Sequence, residues 1–400
     1  WLLISLYFYY WIGSTLERQW GTAKFTLYYI SGVLLTVLIS VFVLTLSCAL
    51  GWLVAKVSRK LKRKNFITVI VSLAGIAVYY FFVFKAQTAM EALVANAALY
   101  GEKIKGAAHP LYLVGCVGTG DGRAMLLVSL IVAALFALMW ALLAHSFLKL
   151  STATGASGHT VYRERTLKRQ SADAALFQKE LARFTASANY MLNCGLGILL
   201  LPVAGVALVI KGGELLPLLQ MAFGNRGGCA EVLLCTGVCT IAAMNDMATP
   251  SVSLEGKNLW LAQSLPVTPW QVLRAKLKVQ LALTAIPALV PLACMVLVLP
   301  LTPALPLIFV TALSYIAFSA CLGLTLGVMR ANLTWTNELA PVKQSLAVAI
   351  AMFGGWAYAL LLAGLYLLLG WRIGAAVYLA LVSAATIAAA LALLKWLKTK

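Results

Sequence analysis

This chain of 400 residues is 62% apolar and only 11% charged, which excludes an ordinary soluble domain, where about a quarter of residues are charged. The formal charge of +19 invites a nucleic-acid reading, but the basic residues lie in short loops between apolar runs. That placement reflects membrane topology, and no nucleic-acid partner is expected. At ~20 residues per span the length holds roughly ten spans, so the expected fold is an all-α, polytopic transmembrane helical bundle.

Residues 1–13 form an apolar run too short to cross a bilayer, and the chain opens on Trp1 without a Met, as a fragment would. A second apolar run, residues 25–55, is about 10 residues longer than one span needs. It ends in a basic loop holding Lys56, Arg59, Lys60, Lys62, Arg63 and Lys64. Residues 66–84 then lead outward, residues 85–123 form an external segment with an amphipathic stretch around residues 90–100, and residues 124–148 return. A long polar loop, residues 149–187, stays inside. Six further spans follow at residues 188–210, 229–249, 279–300, 303–328, 346–369 and 373–394. With this assignment the inside loops and tail carry 22 Lys and Arg against 7 outside, which places the C-terminus in the cytoplasm of a multi-pass protein.

Three polar stretches stand out on the inside face. In the first, Leu176, Phe177, Leu181 and Phe184 share a helical face, with Gln178, Lys179 and Arg183 largely opposite and Glu180 beside them. An interfacial helix is expected, its apolar side in the acyl boundary and its cations among lipid headgroups. The second runs Ser251-Val-Ser-Leu-Glu255-Gly256-Lys257-Asn-Leu-Trp260 and on through Pro266, Pro269, Trp270 and Arg274 to Lys276. Charges and large apolar residues alternate there, and the two prolines divide it into short helical pieces suited to a membrane surface and a soluble partner. The third is Trp335-Thr336-Asn337-Glu338, followed by Val342-Lys343-Gln344.

In this order and on this face, the three stretches resemble ABC-2-type transporter permeases over residues ~37–400. The resemblance implies the transmembrane subunit of an exporter in the plasma membrane, the inner membrane of a bacterium, with a six-span unit at residues 188–400. It also implies a separate ABC ATPase subunit as partner and a dimer or pseudo-dimer of six-span units. Glu255, Lys257, Trp260, Pro266, Trp270, Arg274 and Lys276 would contact the ATPase, with Glu338 and Lys343 in support. Residues 37–148 would be the last three spans of a truncated first unit, and residues 149–187 a cytoplasmic loop with the interfacial helix. The opening pattern Leu16-Glu17-x-x-Trp20-Gly21-Thr22-x-Lys24-Phe25 is instead similar to a loop of rhomboid-like membrane proteins, which sets residues 1–36 apart. That likeness would put residues 14–24 in the cytoplasm and the basic loop outside. Six cations in ten residues favour the opposite.

Catalytic chemistry has one candidate. Gly155-Ala156-Ser157-Gly158, next to His159, matches a rhomboid nucleophile motif and supports an alternative reading as an intramembrane serine protease. Its run of Ser, Thr, Gly and Ala reads more simply as a flexible loop. A non-transporting membrane scaffold is the other alternative. The glycine cluster from Gly118 to Gly122 follows no strand, and no nucleotide-binding motif occurs, so neither an enzyme nor a cofactor is expected. Cys235 and Cys239 lie one turn apart without a His or carboxylate at ligand spacing, so no metal is expected. Glu231 and Asp246 lie near opposite ends of one span, where both are expected to reach interfacial water. Pro287, Pro291 and the pair Gly354-Gly355 are expected to permit bending.

Overall fold

The computed structural model describes residues 2–58, 64–95, 109–151, 170–223 and 227–400. Among these residues no strand forms, and one isolated antiparallel bridge joins Gly195 to Asn245. Seven helices among the described residues are long and apolar enough to cross a membrane, and the protein is an all-α integral membrane bundle. The chain divides into two compact units, Trp1–Glu164 and Arg165–Lys400.

In the first unit, α1 (Leu2–Trp20) and α2 (Thr22–Ser58) meet at Gly21, whose φ of +80° suits a residue without a side chain. The unit continues with α3 (Lys64–Ala95), α4 (His109–Gly118) and α5 (Gly122–Ser151). The 37 residues of α2 form one unbroken helix about 55 Å long, so no structural break falls at residue 36. Leu38, Val117, Ala124, Val128 and Val132 make a small core between α2, α4 and α5. The Trp52 indole donates to Ser146 Oγ at 2.9 Å, a second tie between α2 and α5. The glycine cluster at 118–122 is a tight helix-to-helix turn, closed by Asp121 N donating to Cys116 O at 3.1 Å.

The second unit holds α6 (Ala172–Ala186), α7 (Ala188–Cys194), α8 (Leu196–Phe223), α9 (Cys229–Ala242), α10 (Ala248–Ser253) and α11 (Leu259–Gln263). After these come α12 (Pro269–Val298), α13 (Ala304–Met329), α14 (Leu339–Lys343), α15 (Leu346–Leu368) and α16 (Ala375–Lys398). Small residues set the close approaches, as expected where both helices and lipid are apolar. A Cβ on Gly205 would lie 2.8 Å from Pro291 Cα, so that proline packs against α8. Gly355 is likewise filled, by Tyr315 and Ala243, whereas Gly354 faces open space. One polar contact lies in the largely apolar seam of α13 and α16: the Thr311 and Ser383 hydroxyls are 2.8 Å apart. Apolar side chains such as Leu297 and Leu361 point outward, 78% and 60% exposed, as a lipid-facing surface requires.

Two expected spans change shape. The run 188–210 is divided at Gly195 into α7 and α8, and α8 continues to Phe223. Gly195 has no room for a side chain, because a Cβ there would sit 2.6 Å from the Phe184 ring. The run 229–249 breaks after Ala242, leaving α9 with 14 residues, about 21 Å, against a hydrocarbon core of about 30 Å. Gln280 on α12 satisfies the freed backbone: its Oε1 accepts from Met247 N at 2.6 Å and Ala248 N at 3.1 Å, while its Nε2 donates to Asn245 O. Expected at about ten, the spans of full length number seven among the described residues, with Ile67–Val83 and Cys229–Ala242 as shorter apolar helices.

Candidate functional site

The three polar stretches, separated by up to 170 residues, meet at one end of the second unit. Ser171 caps α6, accepting from Ala174 N at 3.3 Å, and starts a helix whose inner stripe is Leu176, Glu180 and Phe184. Thr268 and Gln271 form a capping box around Pro269 and start α12, placing Lys276 on the second turn. Between these helices α10 and the short 3-10 turn Gly256–Asn258 bring Glu255 inward.

The result is a buried ionic clamp. Lys276 is 3% exposed, and its Nζ donates to Glu255 Oε1 at 2.9 Å, Glu180 Oε1 at 3.0 Å and Ser251 O at 3.0 Å. All three ammonium donors are therefore used. Arg183 Nη2 donates to Glu255 Oε2 at 2.6 Å, and Lys179 Nζ reaches Glu255 Oε1 at 3.0 Å. Farther out, Asp173 pairs with Lys278 at 3.3 Å and Arg274 at 3.5 Å. Partnering of this kind is what makes buried charge tolerable.

The third stretch closes over the second. Trp335 Nε1 donates to Ser253 O at 2.6 Å, and Asn332 N donates to Ser253 Oγ at 3.0 Å. The indole lies over Gly256, whose φ of +52° and lack of a side chain admit it: a Cβ there would sit 3.3 Å from Trp335 Nε1. Beneath, Phe184, Tyr190, Cys194, Met247 and Val342 form a small core, with Tyr190 Oη donating to Met247 O at 2.6 Å.

The expected contact residues thus fall into two groups. Lys257, Trp260, Pro266, Arg274 and Lys343 are exposed, Trp260 by 60%, and Leu261 and Leu265 extend the apolar tip. Glu255 and Lys276 are buried inside the chain and offer no surface to a partner. Trp270 is half-buried against α13 and α16, with Lys398 Nζ 5.8 Å from its ring centroid, and Glu338 is half-buried. On α6, Glu180 and Phe184 are buried while Phe177, Lys179 and Arg183 are half-buried. Lys179 and Arg183 do not reach toward headgroups as expected. They pair with Glu180 on their own helix and with Glu255 beyond α10, two buried carboxylates that must be neutralised. Asp173, Ser253, Lys278 and Gln280 were not anticipated. A signal for the first existed: Asp173 and Glu180 are seven residues apart, two helical turns, facing a foot of α12 with a cation at every second position from 274 to 278.

At the helix break, Asn245 is fully buried and Asp246 is 7% exposed, so Asp246 does not reach interfacial water as expected. Its Oδ1 accepts from the Thr249 hydroxyl. Ser157, His159, and Arg59 to Arg63 of the basic loop lie outside the described residues, as does the amphipathic stretch beyond Ala95. No cluster of three or more His, Cys, Asp or Glu side chains able to hold a metal occurs among the described residues.

The clamp has a pH signature. Burial by itself would raise the Glu255 carboxyl, but the hydrogen bond from Arg183 and the charge of Lys276 outweigh it, holding the group well below the usual 4.5. A carboxyl lowered on folding stabilises fully above its unfolded value and loses that contribution as pH falls toward the folded one. Thermal stability in detergent should therefore drop from about pH 5 toward about pH 3, and Glu255→Gln should flatten this part of the profile. An unchanged slope in the variant would assign the acid sensitivity to other carboxylates.

Fold and site together define a class: a polytopic α-helical integral membrane protein with a charge-clamped loop assembly at one end of its second unit. No protein-family model, curated protein or solved structure matches the chain.

Proposed function

We propose that this chain is the membrane-spanning subunit of an ABC-2-type exporter, bearing the docking element for a separate ATPase. One observation carries the reading: three distant polar stretches converge, and a buried clamp fixes the loop bearing exposed Trp260, Leu261 and Leu265 to the foot of α12. A surface hook held by buried ion pairs can pass a displacement into α12 instead of bending away from it. The excess of Lys and Arg in the loops at this end supports a cytoplasmic placement, where an ATPase would reach it. In this proposal Lys257, Trp260, Pro266, Arg274 and Lys343 touch the partner, while Glu255 and Lys276 position the hook.

Association with an ABC ATPase, sought among the products of the genes neighbouring this one, provides the test. Trp260→Ala should weaken subunit association by about 2 kcal/mol, roughly thirtyfold, and leave thermal stability in detergent unchanged. Trp270→Ala should lower thermal stability, because that ring packs against α16. Normal ATPase binding by a folded Trp260→Ala protein would remove the hook from the coupling role. It would favour a second reading, in which Trp260 beside Lys257 anchors the loop among lipid headgroups.

A further inference from the structure

The chain has three aspartates, and one of them, Asp246, falls in the break between α9 and α10, inside an otherwise apolar run. Glycines hold the break close to its neighbours on two sides. A Cβ on Gly197 of α8 would lie 2.6 Å from Ile241 O and 2.7 Å from Asn245 Oδ1. On Gly323 of α13 it would lie 2.6 Å from Thr249 Oγ1 and 2.8 Å from Asp246 Oδ1. Enclosed in this way, Asp246 has only one oxygen in use: Oδ1 accepts from the Thr249 hydroxyl and, at 3.4 Å, from Thr249 N. Its Oδ2 is buried with no hydrogen-bond partner, as are both polar atoms of the Asn245 side chain. Glu231, at the start of α9, is also only 7% exposed and does not reach interfacial water as expected, but it borders an open cavity.

A carboxylate buried like Asp246 requires a counter-charge, and none is at hand. The titratable groups that feel its charge are Tyr190 and Cys194 on α7 and Tyr315 on α13, a thiol and two phenols that are neutral at pH 7. On α12, Gln280 is turned to the backbone of the break, and Arg274, Lys276 and Lys278 are committed to other acids. Lys343 of α14 is exposed, and α13 and α15 carry no charged residue. The carboxyl end of α9 also terminates here, and the negative end of its dipole disfavours a second negative charge. A metal ion would need room and several oxygen ligands, whereas a proton needs neither. A neutral acid with one unused oxygen is far cheaper to bury than a carboxylate with one. We infer that Asp246 is held as a neutral carboxylic acid, a site for one proton at the break of the α9–α10 span. Thr249, its hydrogen-bond partner, belongs to α10, which Gly323 and Gly327 seat on α13. Ionisation there demands water, so release of the proton to solvent must accompany separation of α10 from α13.

Infrared spectroscopy of the purified full-length chain in maltoside detergent at neutral pH tests this. Labelling aspartate with heavy carbon at the side-chain carboxyl should shift one carboxylic-acid carbonyl band, and that band should be absent from Asp246→Asn. The variant keeps an oxygen for Thr249 and removes only the titratable group. If it does not fold, the labelled wild type decides alone, because Asp121 is exposed and Asp173 is paired with Lys278 and Arg274. The inference is overturned if no labelled acid band is present at neutral pH, or if the band survives in folded Asp246→Asn. A band that outlasts every pH at which the fold persists marks a permanent neutral acid and overturns the proton site as well. So does a saturable rise in melting temperature with sodium chloride over choline chloride, seen only with Asp246 in place, which assigns the site to an alkali ion.

Discussion

Lys276→Met is expected to be the most destabilising single change in the second unit. The ammonium it removes is 3% exposed and is shared by Glu255, Glu180 and the Ser251 carbonyl, all within 3.0 Å. Methionine fills similar space, so the loss is one of charge and not of packing. Two carboxylates, each 5% exposed, would keep only Lys179 and Arg183 as counter-ions. Removing one partner of a buried ion pair typically costs about 3–5 kcal/mol, since the other is left uncompensated. The melting temperature in detergent should fall by on the order of 10 °C for a unit of this size. Because the cost comes from stranded charge, the triple change Glu180→Gln, Glu255→Gln and Lys276→Met should recover much of it. A single variant as stable as the wild type would show that the clamp is not buried in the working protein.

Gly327→Val should have the next largest effect, through backbone contact. A Cβ at this position would overlap the Thr249 carbonyl oxygen and lie 3.1 Å from Thr249 C. No rotamer relieves a clash with main chain, so α10 must move away from α13. The displacement would carry Ser253 with it, and Ser253 holds both Trp335 and the Asn332 amide. Overpacking usually costs about 1–3 kcal/mol, and a backbone clash lies at or above the top of that range. Besides a lower melting temperature, Trp335 should become more accessible to a collisional quencher of fluorescence. Gly354→Ala is the matched control: nothing lies within 4 Å of its Cβ position, and a helix gains from alanine. Equal stability of Gly327→Val and Gly354→Ala would refute the close packing of α10 on α13.

Much of this architecture is local and therefore legible in the sequence. Apolar runs of about 20 residues can only be satisfied as helices in lipid, so the composition alone determines an all-α membrane bundle. Thr268, Pro269 and Gln271 mark the start of α12 with groups that act within one turn. The three polar stretches are visible because charge is conspicuous against so apolar a background. What tertiary structure decided is which way each polar side chain faces. Glu255 and Lys276 look like surface residues in sequence, because they lie 21 residues apart across two prolines and their further partners lie 72 to 96 residues away on α6. Trp260 and Trp270 have similar local settings, yet one is 60% exposed and the other is half-buried against a cluster that includes Leu397 of the last helix. The break at residues 243–247 follows the same logic. The run is apolar enough for a continuous helix, and the break is affordable only because Gln280, more than 30 residues later, supplies the hydrogen bonds that the interrupted backbone lacks.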